Sequence, residues 1–337
     1  MVTSRTQGQS QVRLLGWTLG VAILLVGVTL ASAEPPTRRQ LRADTATAGS
    51  RPECVDSAVR ARGTGSARDR VADPDHASTA EVASAERLLL RVEARQQASR
   101  TVTRPEPGRN LARVIDVHVH VIRDARNGGV TRRQIRRQIT VLNHAYAGHQ
   151  SPFAARTPFR FRLARVRVTF NASWYRMDEG SITEMRAKRR LHRGGADDLN
   201  LYIANSRSGL LGWATQPTEQ RPNPRLDGVV ISHRTLPGGN GGAYSAGDVS
   251  VHEVGHWLGL FHTFSGRCGR QGDLVADTPA EARASYTCPV ARDSCKSRGR
   301  DPVRNFMDYS YDRCMTRFTA GQSARMVRAW TAFRDRA

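Results

Sequence analysis

The residues best suited to chemistry lie in one run, His252-Glu253-Val-Gly-His256-Trp-Leu-Gly259-Leu-Phe-His262. On a helix, His252 and His256 stand one turn apart and face the same way. Both imidazoles can then reach one Zn²⁺, with Glu253 beside them to take a proton from water. Gly259 lets the backbone turn sharply out of the helix, so that His262 supplies a third nitrogen. Three protein ligands leave a fourth position open, as a catalytic zinc site requires. A pair of histidines at this spacing often marks only a solvated helix face; the added Gly259 and His262 make the pattern far more specific.

These residues need a frame. A helix is predicted from about Ala246 to Phe261, after a Gly-rich loop from Pro237 to Gly242. Upstream, Val117, Val119 and Val121 alternate with His118 and His120, the period of a strand. Thr131-Arg-Arg-Gln134 is a capping box opening a helix that carries Ile135, Ile139, Leu142 and Tyr146 on one face and ends at Gly148. Phe159 to Phe170 reads as a strand with a phase slip near Ala164, and Leu199–Ile203 and Gly228–Ile231 as short strands. Thr319-Ala-Gly-Gln322 opens a last helix bearing Met326, Trp330 and Phe333. Strands and helices come first and an irregular cysteine-bearing half follows, an α+β layout.

Beyond the zinc run, the stretches Gly272-Asp-Leu-Val-Ala-Asp277-Thr-Pro279, Asp301-Pro-Val, Asn305-Phe-Met307-Asp-Tyr309-Ser, Cys314-Met315 and Phe318-Thr-Ala-Gly-Gln322 resemble the pappalysin family of metzincin zinc metallopeptidases, on its bacterial cytophagalysin-like side. The resemblance covers about Leu111 to the end and is densest from Gly247 to Met326. It implies a zinc endopeptidase with an upper twisted-sheet and helix subdomain (about 111–262), a lower irregular disulfide-braced subdomain (about 263–337), and a cleft between them. It implies that Met307 forms an apolar turn beneath the metal and that Tyr309 helps bind the metal or the tetrahedral intermediate. It pairs Cys268 with Cys295 and Cys288 with Cys314, where the residues alone allow three pairings. It also implies Ca²⁺ near Asp273, with carbonyls from about Ala276 and Thr278; a turn in which Asp273 caps backbone amides is the plainer reading. Where the family often has two acidic residues before the cysteine preceding Met315, this chain has Tyr311 and Asp312, then Arg313, which puts a preference for basic residues after the scissile bond in doubt.

The N-terminus reads as an export signal. Arg5 and Arg13 precede an apolar run from Leu14 to Leu30, and Ala31-Ser-Ala33 is a small-residue cleavage site. Residues 1–33 are therefore expected to be a signal peptide cut near Ala33, giving a secreted protein with no stable membrane anchor. Residues 34–110, rich in Ala, Arg, Thr and Pro, read as a weakly structured pro-region with one helical stretch from Thr79 to about Arg95, and residues 111–337 as the catalytic domain. Cys54 is the odd one of five cysteines. Its thiolate could fill the fourth zinc position and hold a zymogen inactive, or it could be a thiol without a role.

The net charge of +22 invites a nucleic-acid reading, but only Lys188 and Lys296 among the 52 basic residues are lysine. A phosphate-gripping surface has no reason to exclude lysine, and no nucleic-acid motif accompanies the arginines. The basic strand face of Arg160, Arg162, Arg165 and Arg167 reads as solvated. Asp116-Val-His118-Val-His120 resembles the opening strand of amidohydrolase barrels, yet the repeating strand–helix pattern of a barrel is missing. The expectation is a monomeric peptidase acting on proteins or peptides. A secreted cell-wall amidase and a basic binding protein for anionic polymers are the competing classes.

Overall fold

The computed structural model describes residues 77–99, 112–269, 272–297 and 299–335. The export signal, Cys54 and most of residues 34–110 lie outside the described residues.

The elements run α1 (Thr79–Ser99), β1 (Arg113–Arg123), α2 (Arg132–Tyr146), β2 (Phe159–Phe170), α3 (Ala172–Tyr175), α4 (Ile182–Leu191), β3 (Leu199–Ala204), β4 (Gly212–Ala214), α5 (Pro217–Gln220), β5 (Val229–Ser232), α6 (Asp248–Trp257) and α7 (Ala320–Phe333). The strands form one sheet in the order β2-β1-β3-β5-β4. All neighbours are parallel except β4, which runs antiparallel to β5 at the edge. Parallel strands need covering on both faces, and these are covered. One face, built from Ile115, Val117, Val119, Leu201 and Ile231, packs on Ile135, Ile139 and Leu142 of α2 and on Val251, Val254 and Trp257 of α6. The opposite face, with Ile122, Tyr202, Trp213 and Val230, is closed by Tyr175, Met177, Ala187 and Leu191.

The phase slip near Ala164 is a bulge. Val117 pairs with Leu163 and His118 with Arg165, which leaves Ala164 over. The capping box on Thr131 forms with both of its bonds. One expectation needs correcting. The helix predicted to reach Phe261 stops at Trp257, because Gly259 takes a φ of +95° and its Cα lies against Ala329. The helical stretch expected from Thr79 to about Arg95 is α1, a helix of 21 residues running to Ser99, whose Leu89 and Val92 pack on Ala332 and Phe333 of α7. Helix α4 escaped the sequence reading because its buried face is partly charged. Glu184 and Lys188 pair at 2.8 Å, and Trp213 of β4 donates its indole N–H to Glu184 at 2.6 Å.

One core serves both halves of the catalytic region. Phe306, Met307, Met315, Phe318, Met326 and Trp330 of the later half pack with the sheet-facing residues of the earlier half. A charged cluster anchors the same junction. Arg334 is completely buried; it forms two bonds to Asp227, at 2.9 and 3.1 Å, and donates from Nε to the Trp257 carbonyl. Its guanidinium lies 3.7 Å from the centroid of the Trp257 ring, whose N–H also meets Asp227. Removing one partner of such a pair strands the other charge, at a cost of about 3–5 kcal/mol. Arg334→Ala should therefore lower the melting temperature sharply, whereas the double change Arg334→Met with Asp227→Leu should be much milder; equal losses in a thermal melt would contradict this account.

Candidate metal centre

Helix α6 lies beneath β4 and β5 and brings His252 and Glu253 under the sheet edge. Its N-terminus is capped from outside. Gly247 has no side chain to offer and sits in the left-handed region at φ +105°. The Asp312 carboxylate instead accepts from the backbone N–H of Ala246 at 2.7 Å and of Gly247 at 3.2 Å. Tyr146 and Gln138 of α2 fix the helix further, through bonds to the carbonyls of Val251 and Gly247.

His252, His256 and His262 are all buried, and one ring nitrogen from each converges. His256 Nε2 lies 3.1 Å from Nε2 of both His252 and His262. The far nitrogens of two rings are held by carbonyls: His252 Nδ1 by Phe306 at 2.6 Å, and His256 Nδ1 by Leu260 at 2.9 Å. A carbonyl only accepts, so these Nδ1 atoms carry the protons and the Nε2 lone pairs point at the shared space. His262 stacks on Phe264 and meets the Tyr309 hydroxyl at 3.3 Å from its Nε2. This donor set suits a transition metal such as zinc. Among the described residues, no other cluster of His, Cys, Asp and Glu could hold a metal ion.

Two glycines make room for the site. A Cβ on Gly255 would stand 2.5 Å from Met307 Sδ, so the completely buried methionine seats itself against bare helix backbone beneath the histidines. A Cβ on Gly212 would stand 2.6 Å from Glu253 Oε1, so the edge strand passes directly over that buried carboxylate. Beside them is a small apolar pocket lined by Leu211, Tyr244, Val249, Ser310 and Met315.

The turn carrying Met307 and Tyr309 is fixed by polar bonds that the sequence did not announce. Asn305 exchanges two side-chain hydrogen bonds with Gln322 of α7 and accepts from the Met307 N–H. Asp308 accepts from the N–H groups of Ser285 and Tyr309. Nearby, Glu281 accepts from the hydroxyls of Thr263 and Ser285, and Arg292 joins Glu281 to Asp301. Burial raises the carboxyls of both Glu281 and Asp308, and the Asp308 charge raises Glu281 further. Disulfides join Cys268 to Cys295 and Cys288 to Cys314, with Cα atoms 5.4 and 5.8 Å apart.

Asp273 is buried, and burial pushes it up to about 7. Its Oδ1 accepts from the Val275 N–H, while Oδ2 has no hydrogen-bond partner among the described residues and borders a cavity of about 260 Å³ that Ala276 and Thr278 also line. The Asp116–His118–His120 strand does not form a metal site. Asp116 pairs with Arg162, and His120 bonds Asn200 and stacks on Tyr202. Burial lowers His120 to about 4, which keeps it neutral.

Histidines converging beside a buried glutamate, under the antiparallel edge of a mostly parallel sheet, define a metalloendopeptidase. The chain belongs to the pappalysin family: the Peptidase M43 family model, described as pregnancy-associated plasma protein-A, matches residues 196–331. Extracellular metalloprotease 1 of Coccidioides posadasii (strain C735) is 41% identical over 226 residues, covering 65% of this chain and 78% of that protein. An extracellular metalloprotease of Sordaria macrospora is 43% identical over 230 residues, covering 66% and 76%. Tannerella forsythia mature mirolysin in complex with a cleaved peptide superposes with a TM-score of 0.56 at 30% identity, covering 65% of this chain and 91% of that one. A promirolysin mutant from the same organism gives 0.59 at 27% identity, covering 73% and 89%.

Asp248, the first residue of α6, is buried, bonded to Gln150 and close to Asp312; burial, with the Asp312 charge, holds its carboxyl well above the usual range. A raised acid favours folding below its unfolded pKa of about 4 and loses that contribution as pH rises through the folded value. Asp248→Asn should therefore melt higher than the parent at pH 8, with the gain shrinking towards pH 4. A difference constant over that range would contradict the assignment.

Proposed function

We propose that the chain is a secreted zinc endopeptidase, made as a zymogen, that hydrolyses peptide bonds in proteins with Glu253 as general base. The observation supporting this most directly is the convergence of three Nε2 atoms beside Glu253 at the sheet edge. His252, His256 and His262 would hold the metal. A zinc ion there supplies Lewis acidity, lowering the pKa of water to about 7 and polarising the scissile carbonyl.

The chain's own groups do the rest. The substrate lies extended along β4, whose outer edge takes it as an added strand. Gly212 keeps the backbone close enough for the scissile bond to reach Glu253. The Glu253 carboxylate takes a proton from the attacking water and hands it to the leaving amine nitrogen. The Tyr309 hydroxyl donates to the developing oxyanion. Met307 supplies the apolar floor and the two disulfides brace the surrounding loops.

Secretion fits the export signal read from residues 1–33 and the extracellular relatives. The zymogen reading fits the residues ahead of the catalytic region, with Cys54 as the proposed latch. A Cys54→Ala precursor should then show activity before processing; one as inactive as the parent would rule the latch out.

A chelator should abolish casein hydrolysis and added zinc should restore it. Glu253→Ala should keep zinc, measured by elemental analysis, while turnover falls about 10²–10⁴-fold. Retained turnover would remove Glu253 from its role. Asp273, with carbonyls near Ala276 and Thr278, is proposed to hold calcium, since a buried carboxylate with an unpartnered oxygen suits a hard cation. Calcium should raise the melting temperature of the parent and leave that of Asp273→Asn unchanged; equal responses would argue for a simple turn.

A further inference from the structure

We infer that α1, although it falls in the stretch read as a pro-region, is an integral part of the mature enzyme and stays docked on α7 once the residues before it are removed. Maturation rests on the zymogen reading; the contact between α1 and α7 does not.

The interface has three components. Leu89 and Val92, 2% and 8% exposed, close over Ala332 and Phe333. Gln96 donates to the Thr331 carbonyl at 3.1 Å. Arg328 forks onto Glu93 at 2.8 and 2.9 Å, and Glu86 receives both Arg325 at 2.7 Å and Arg328 at 3.5 Å. A segment meant to be shed would leave behind a surface at ease in water. This one would not.

Arg325 decides the matter, because it is only 5% exposed and also reaches the turn between two of the histidines. Its Nε donates to the Gly259 carbonyl at 2.9 Å, and its guanidinium lies 5.0 Å from the centroid of the Phe261 ring. Both contacts fall in the turn that carries the chain from His256 to His262. Glu86 is the carboxylate that pairs with Arg325 among the described residues; Asp273 feels its charge without forming an ion pair. Losing α1 would take the Glu86 carboxylate from Arg325 and open its guanidinium to water, loosening a side chain that holds the turn positioning a metal ligand. Glu86 is on this reading a positioning residue for the zinc site, acting through Arg325 and Gly259.

Three measurements test this. Peptide mapping of the active, secreted form under native conditions should find residues 79–99, whether joined to the catalytic region or held to it without a peptide bond. An active form lacking them overturns the inference. In the full-length Glu253→Ala chain, Glu93→Arg and Arg328→Glu should each lower the melting temperature by about 3–6 °C, and the two together should recover most of it; no loss in the single variants, or no recovery in the pair, counts against the docked contact. In the same background, Glu86→Gln should speed zinc loss to a chelator severalfold, and an unchanged rate refutes the link to the metal centre. The melt does not depend on catalysis, so a failed peptidase assay would leave the α1 result standing.

Discussion

Three imidazole nitrogens pointed at one buried space form an arrangement that the protein alone does not favour. The Nε2 lone pairs of His252 and His256 face one another, and His256 Nε2 lies only 3.1 Å from the Nε2 atoms of both its neighbours. Metal binding can make the cluster favourable, and the surrounding structure holds it ready. The Phe306 and Leu260 carbonyls fix two ring tautomers, Gly259 ends the helix early enough for His262 to turn back, and Met307 fills the space under Gly255. Each requirement recruits a different part of the chain: α6, the turn after it, and the loop at 305–309.

Those parts stay in register because the apolar core does not stop at the boundary between the two halves. Met307, Phe318 and Trp330 share a cluster with Val117, Leu142 and Val254. The remaining alignment is polar. Asp312 caps α6 from the later half, Asn305 and Gln322 tie the methionine turn to α7, and the Arg334–Asp227 pair clamps Trp257. Burying so many polar groups is costly unless each finds a partner. Their bonds fix directions that hydrophobic packing alone leaves loose.

Much of this was legible in the sequence, and the reasons are physical. The histidine spacing carries its own geometry, since a helix fixes which residues share a face. The capping boxes at Thr131 and Thr319 and the slip at Ala164 are local signals with local outcomes. What escaped notice depends on distant partners. Helix α4 buries Glu184 and Lys188 only because each answers the other, Trp213 of β4 donates to Glu184, and Lys188 donates to the Thr215 hydroxyl. Arg334 looks like one more arginine in a chain full of them until Asp227, 107 residues away, faces it. Gly212 and Gly255 read as ordinary small residues, because the atoms that forbid a side chain there come from Glu253 and Met307. The extent of α1 was partly visible in its apolar spacing, but its docking site on α7 was not.

The two disulfides overlap along the chain, since Cys288 lies inside the span closed by Cys268 and Cys295, and Cys295 lies inside the span closed by Cys288 and Cys314. Together they cover every peptide bond from 268 to 314. A peptidase shares its solution with many copies of itself, and this loop-rich stretch exposes arginines and few regular hydrogen bonds to them. Any single cut there leaves both new ends covalently tethered to the rest of the molecule. The overlap thus acts as insurance against self-digestion: a nicked molecule keeps its methionine turn and its third histidine on one connected frame.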